Sequence, residues 1–265
     1  MDKKQIAVVG CGWLGFPLAK KLVEDNHMVY GTSRDDQKLK KLEENGIKAQ
    51  KFTYADFDKT HAWLAKCDFL IINIPPSDFK FTYAEKMQTL TKSLNDKAKV
   101  IFVSSTSVYA DKNKTVFEST PTTGDNRSGK WVREAENLLS KKLKNRLTII
   151  RMAGLVGKER HPVKFMSGKS YSGAEAPVNL IHLEDCIGII QKVIDSNYWG
   201  EILNGCSLHH PSKTSFYSHF AEKLNIPPPE FTNDPVDYKI VDASKVQNEL
   251  GYKFKYENPF DFPVD

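Results

Sequence analysis

Three glycines, Gly10, Gly12 and Gly15, stand at Gly-x-Gly-x-x-Gly spacing directly behind the apolar run Gln5-Ile6-Ala7-Val8-Val9. Each glycine in such a spacing has its own mechanical use. The first permits the tight turn out of a strand, the second lets a pyrophosphate approach the backbone, and the third lets the next helix pack against the strand. The amides that open this helix then face the phosphates with the positive end of the helix dipole behind them. Leu14 belongs to that opening turn, and Trp13 reads as a wall of the cofactor cleft rather than a chemical participant. The next apolar run ends in Thr32-Ser33-Arg34, where the adenosine ribose of a dinucleotide arrives. An acid there would hold the ribose hydroxyls. Arg34 instead can pair with a 2′-phosphate and Ser33 can donate to it, so these residues favour NADP(H) over NAD(H).

Such residues need a frame, and the chain supplies alternating strand and helix patterns. Phe16-Pro17-Leu18-Ala19-Lys20-Lys21-Leu22-Val23 places apolar residues at helical spacing, with a proline tolerated in the first turn. Met28–Thr32 reads as a second strand, and Asp35 or Asp36 can cap the helix that runs to Asn45-Gly46. Further strands are predicted over Ile47–Phe52, Asp68–Ile74, Lys99–Ser104 and Arg146–Ile150, the fourth strand of the chain being stopped by Pro75-Pro76. Uninterrupted apolar strands between amphipathic helices predict an α/β protein: a Rossmann-type, doubly wound parallel sheet with helices on both faces.

Ligands of such sheets bind at the carboxyl ends of the strands. Ile74, Pro75, Pro76 and Ser104 therefore join the candidate cofactor contacts, and the hydroxyls of Ser105 and Thr106 follow at the end of the fifth strand. Lys130 and Arg133, on a predicted helix over Gly129–Leu143, could supply a fixed cation for a carboxylate or phosphate. Beyond position 151 the character changes: glycine, proline and serine thicken between Gly154 and Pro177, and helical segments are predicted through Asp195, over Thr214–Leu224 and over Ala243–Leu250. Residues 1–151 with roughly 179–204 are expected to form the dinucleotide-binding domain, and 152–178 with 205–265 a small substrate-binding lobe.

Composition narrows the class. The 265 residues are 40% hydrophobic and 27% charged, as in a globular protein with one large core. The net charge of +5 is spread through acid-mixed stretches, so no nucleic-acid partner is expected. No apolar run reaches the roughly 18–20 residues a membrane helix needs, and the N-terminus lacks a signal-peptide pattern. Four cysteines without Cys-x-x-Cys spacing or partner histidines predict no metal site and a reducing compartment, the cytoplasm.

Several ordered segments resemble the extended short-chain dehydrogenase/reductase family, in its nucleotide-sugar epimerase and dehydratase branch. Phe102-Val103-Ser104-Ser105-Thr106-Ser107-Val108-Tyr109 is similar to its fifth-strand motif, and Arg151-Met152-Ala153-Gly154-Leu155-Val156-Gly157 to its Arg-x-x-x-x-Tyr-Gly segment. Ile181-His182-Leu183-Glu184-Asp185 resembles Ile-His-x-x-Asp, and Lys245 through Tyr252 resembles the closing Lys-x-x-x-x-Leu-Gly-Tyr signature. The Gly-x-Gly-Trp-Leu-Gly opening with Pro75-Pro76 is further similar to a YeeZ-like bacterial subgroup. The resemblance implies that Ser105 hydrogen-bonds a substrate carbonyl, that Asp56 lies beside the adenine, and that His182 is a packing and hydrogen-bonding residue.

Departures from the family matter as much. The family usually writes Gly-x-x-Gly-x-x-Gly at the first turn. Its catalytic Tyr-x-x-x-Lys is missing: alignment on Glu134-Ala135-Glu136 puts Ser128 at the tyrosine and Val132 at the lysine, and no tyrosine lies between Tyr109 and Tyr171. Three functions are compatible with this. One is an NADP(H)- or NAD(H)-dependent epimerase/dehydratase or reductase with a rebuilt acid/base set of Ser105, Thr106, Lys130 and Arg133, acting on a small anionic or carbonyl-bearing substrate as a monomer or homodimer. Another is a non-catalytic dinucleotide sensor. The third, a β-hydroxyacid-dehydrogenase-like enzyme, would require a long all-helical second domain in place of the Ile181-His182 and Leu-Gly-Tyr segments.

Overall fold

Apolar runs too uniform to leave a face in water build the centre of the molecule. The computed structural model describes residues 2–124 and 126–264. Its first half alternates β1 (Gln5–Val9), α1 (Gly15–Glu24), β2 (Met28–Ser33), α2 (Asp36–Glu44), β3 (Lys48–Lys51), β4 (Phe69–Ile72), α3 (Tyr83–Leu90) and β5 (Lys99–Ser105). There follow β6 (Lys114–Val116), α4 (Arg127–Leu143), β7 (Leu147–Met152), β8 (Gly154–Val156), α5 (Pro162–Met166), β9 (Ser170–Ser172) and β10 (Leu180–His182). The chain closes with α6 (Leu183–Asp195), β11 (Ile202–Gly205), α7 (Lys213–Lys223), β12 (Glu230–Thr232), β13 (Lys239–Val241) and α8 (Ser244–Asn248).

Seven strands form one sheet in the order β11-β7-β5-β4-β1-β2-β3. β1 lies parallel to β2, with Gln5 opposite Met28, and parallel to β4, with Ile6 opposite Phe69. β2–β3 and β4–β5 are parallel as well. The strand order thus reverses between β1 and β4, and a doubly wound sheet opens a crevice for ligands at such a switch point. The glycine turn after β1 and the Ile74–Pro76 segment after β4 flank it.

Two compact units make up the chain: Met1–Val108, Asp125–Ile150 and Val193–Ile202 form the first, and Tyr109–Gly124, Arg151–Lys192 and Leu203–Asp265 the second. In the first, Ile6 through Val9, Leu70 through Ile72 and Val100 through Phe102 are wholly withdrawn from solvent. α1 buries Leu18, Ala19 and Leu22. Asp35, rather than Asp36, caps α2 by accepting the Lys38 N–H at 2.9 Å. α4 begins at Arg127, two residues before the expected Gly129, because Asn126 caps it through the Gly129 N–H at 2.7 Å. A Cβ on Gly129 would stand 2.2 Å from the Ser107 carbonyl, so the helix start lies directly on the chain leaving β5.

The second unit shows why the family-like segments recur together. The Tyr109 hydroxyl accepts from Arg151 Nη1 at 2.8 Å and donates to Asn204 Oδ1 at 2.8 Å. Asp185, fully buried, accepts from the Tyr252 hydroxyl and from the Lys255 and Tyr256 backbone amides. The closing Leu-Gly-Tyr segment is therefore the partner that satisfies the aspartate of Ile-His-x-x-Asp, as a buried carboxylate requires. Three two-stranded parallel pairs, β10-β8, β12-β9 and β13-β6, add to this unit and leave no clear apolar alternation in the sequence. Its core gathers Val156, Val163, Phe216, Tyr217, Phe220 and Phe262. Among the described residues no helix is long and apolar enough to cross a membrane, and no group of His, Cys, Asp and Glu is placed to hold a metal ion.

Candidate dinucleotide site

The turn after β1 is held from both neighbouring strands. Gly10, at φ +105°, donates its N–H to Thr32 Oγ1 at 2.9 Å, and the Cys11 N–H donates to the Thr32 carbonyl at 3.1 Å. Directly after β4, Asn73 Nδ2 donates to the Gly10 carbonyl at 3.0 Å. The glycines then differ in what a side chain would meet. A Cβ on Gly10 would stand 2.3 Å from the Asn73 carbonyl oxygen, and one on Gly15 2.1 Å from the Gly10 carbonyl oxygen. A Cβ on Gly12 would meet nothing within 4 Å. This is the pattern a phosphate cradle needs: close packing at the first and third glycines and open space over the second. No side chain caps α1; the Phe16 N–H donates to the Gly12 carbonyl at 3.0 Å and Pro17 has no N–H, so the amides of Leu14 and Gly15 are the ones suited to an anion.

A cavity of about 250 Å³ opens over this turn within the first unit. Gly10, Cys11, Gly12, Asn73, Ile74 and Pro75 line one end, and Thr32, Ser33, Arg34 and Lys38 supply polar and cationic groups. Phe52, Tyr54, Phe57 and Phe79 line the rest. Arg34 Nη1 donates to the Tyr54 hydroxyl at 2.8 Å, with the guanidinium carbon 5.1 Å from the centre of that ring. Tyr54 and Phe57 each meet Phe79 edge-on at 4.8 Å between ring centres. Aromatic walls with a cationic rim are suited to a planar base attached to a phosphate. Burial pushes the Cys11 thiol up to about 12, so it lines the cavity as a small neutral group.

Of the residues expected at a cofactor, Gly10, Gly12, Thr32, Ser33, Arg34, Ile74 and Pro75 line this cavity. The others have different surroundings. Leu14 and Gly15 are buried in the start of α1, and half-buried Trp13 is outside the lining. Pro76 opens a short 3-10 turn. Ser104 is buried and donates to the Glu136 carboxylate at 2.5 Å, which commits its hydroxyl to the interior. Asp56 does not face the cavity: it accepts from the Thr53 N–H and hydroxyl, both at 2.7 Å, closing a capping box on the 3-10 turn Tyr54–Asp58. The Lys59 ammonium at 2.8 Å and these hydrogen bonds hold its carboxyl well below the usual range.

On the expected substrate side, Ser105, Thr106, Lys130 and Arg133 are all absent from the cavity lining. The Ser105 hydroxyl accepts the Ser107 N–H at 3.1 Å, a local turn of the kind serines often close. Thr106 is buried, Lys130 is exposed, and Arg133 is half-buried and engaged with neighbouring groups. At the two family positions, Ser128 is exposed and bonds to Asn126, while Val132 is only 3% exposed. His182 is packed against Tyr256, ring centres 4.4 Å apart, and its Nδ1 accepts the Glu184 N–H at 3.3 Å. Asn73, Lys38, Tyr54 and the three phenylalanines line the cavity in addition to the expected residues. The run of aromatics Phe52, Tyr54 and Phe57 behind the third strand was the available signal.

Comparison with known proteins agrees with this architecture. Residues 5–107 match the family described as NADP oxidoreductase, coenzyme F420-dependent. Protein YeeZ of Escherichia coli strain K12 is 36% identical over 276 aligned positions, covering 99% of this chain and all of that protein. The UDP-glucuronic acid 4-epimerase of Bacillus cereus, solved with NAD, shares the fold at a TM-score of 0.78 and 20% identity, over 97% of this chain and 95% of that one. The human epimerase family protein SDR39U1, solved with NADPH, does so at 0.74 and 16% identity, over 97% and 96%.

Proposed function

The chain belongs to the YeeZ family, and from that premise we propose that it binds NADP(H) and acts as a reductase or an epimerase/dehydratase with a rebuilt acid/base set. One observation carries this reading: a single cavity joins open space over Gly12 to the Ser33, Arg34 and Lys38 side chains. The residues present fit a dinucleotide diphosphate at one end and a phosphorylated adenosine at the other. When bound, the nicotinamide supplies hydride transfer. The glycine turn and the amides of α1 would hold the pyrophosphate, and Arg34 with Ser33 the 2′-phosphate. The cofactor is assigned to the first unit and a small anionic or carbonyl-bearing substrate to the second, which takes in Tyr109–Gly124 and residues 179–192 besides the expected 152–178 and 205–265. Four free, buried thiols suit a reducing compartment such as the cytoplasm.

The proton chemistry has to differ from that of the wider family. A tyrosine paired with lysine exchanges a proton near neutral pH because the cation lowers a phenol pKa that is otherwise near 10. Ser128 and Val132 offer neither group. Ser105 is left to orient a carbonyl, its hydroxyl proton having no acceptor among the described residues. The engagement of Ser105 with Ser107 and the exposure of Lys130 favour a second reading, a dinucleotide sensor without turnover. Calorimetric titration with NADPH and NADH, followed by a screen of small carbonyl compounds and nucleotide sugars for NADPH consumption, separates them. Tight NADPH binding with turnover supports the enzyme, binding without turnover the sensor, and no dinucleotide binding refutes both.

A further inference from the structure

Arg34 is exposed, and a long mobile side chain gives up rotamer freedom when a ligand orders it. In this protein that ordering is already in place. The Tyr54 hydroxyl accepts from Arg34 at 2.8 Å and the Tyr54 ring lies beneath the guanidinium. Tyr54 is itself braced edge-on by Phe79, which is only 9% exposed and packs in turn on buried Phe57. The 3-10 turn that carries Tyr54 is fixed by the Thr53–Asp56 capping box. Asp56 thus stiffens the support of Arg34 instead of touching a ligand.

Lys38 provides the second element. It lies on α2, lines the same cavity as Arg34, and its ammonium forms no ion pair among the described residues. The two carboxylates beside it in sequence are committed elsewhere: Asp35 accepts the Lys38 N–H as the helix cap, and Asp36 pairs with Lys51 at 2.9 Å. Lys38 and Arg34 therefore leave the adenosine end of the cavity with two cations and no carboxylate in its lining. Such a site favours a dianionic group and disfavours bare ribose hydroxyls, which lack the charge to match it.

We propose that Tyr54 and Lys38 set the preference for a 2′-phosphorylated adenosine, Tyr54 as the positioning residue that holds Arg34 ready and Lys38 as the second cation on the phosphate. The inference rests on the NADP(H) reading above and deepens it. Adenosine 2′,5′-bisphosphate and AMP are the probes, because they differ only in the 2′-phosphate and carry no nicotinamide. The ratio of their affinities is measured calorimetrically for the full chain and for Y54F, K38A, R34A and Y54F/R34A. Y54F should narrow the wild-type ratio about threefold to tenfold, the equivalent of ordering one long side chain. K38A should narrow it to a similar extent and weaken its dependence on salt. If Tyr54 acts through Arg34, Y54F adds nothing in the R34A background. Y54F retains the ring, and Lys38 is exposed on its helix, so both variants are expected to fold. Should both leave the ratio within about twofold while R34A collapses it, this inference fails and the cofactor reading stands. A wild-type ratio near one overturns the NADP(H) preference itself.

Discussion

Replacing Gly12 by alanine separates binding from folding more sharply than any other change at this turn. Gly12 is not in the left-handed region, and a Cβ there meets nothing within 4 Å. The unliganded protein should tolerate the methyl group. Removing backbone freedom from the unfolded chain even favours folding by about 0.4–1 kcal/mol, a melting temperature unchanged or raised by roughly 1–4 °C. The dinucleotide should not tolerate it. The methyl group stands in the space through which a phosphate reaches the backbone amides, and losing one charge-assisted hydrogen bond costs about 1.5–3 kcal/mol. The expected effect is a roughly 10- to 150-fold weaker NADPH affinity by calorimetry, beside an unchanged or higher melting point. Gly15→Ala is the control of opposite sign. Its Cβ would stand 2.1 Å from the Gly10 carbonyl, and such overpacking costs about 1–3 kcal/mol, a fall of roughly 2–12 °C. NADPH binding by G12A as tight as that of the wild type, or a G12A melting point lowered as far as that of G15A, would refute the phosphate cradle at this glycine.

Other consequences follow from the same geometry. Arg34→Ala should weaken NADPH about tenfold or more while narrowing the gap to NADH, and equal losses for both cofactors in titrations would remove Arg34 from the 2′-phosphate. Grafting the absent pair should fail: Val132 is buried, so Val132→Lys would strand a charge and cost about 3–5 kcal/mol in denaturant unfolding. The S128Y/V132K double variant is accordingly expected to gain no NADPH-dependent turnover, and a clear gain would show that α4 is misread. Burial lowers the His161 pKa to about 4, so the folded protein keeps it neutral while the unfolded chain takes up a proton near pH 6.5. Stability from this group is complete above about pH 6.5 and is lost as pH falls toward 4, up to about 3 kcal/mol. His161→Phe, among Phe216 and Phe220, should flatten that slope in urea melts between pH 7 and 4, and an unaltered slope would contradict it.

The apolar runs by themselves determined the centre of the sheet, because a strand without a polar face has to be covered on both sides, whereas the edge strand β11 carried no such signal. β1, β4 and β5 were legible for this reason, as were the tight packing at Gly10 and Gly15 and a helix cap at Asp35 or Asp36, which the fold resolves to Asp35. The partner of a polar side chain was not legible in the same way. Asp56 and Ser104 sit where a ligand contact is expected, yet one closes a local capping box and the other bonds to Glu136, 32 residues away. Asn73 reaches back 63 residues to the glycine turn, and Arg34 finds Tyr54 20 residues on. A hydroxyl, amide or carboxylate pairs with whichever complementary group the fold brings within about 3 Å, and spacing along the chain carries no record of that distance. The place of the cavity and Arg34 at its rim followed from the sequence, whereas its aromatic walls and its second cation, Lys38, were decided only when the strand-end loops came together.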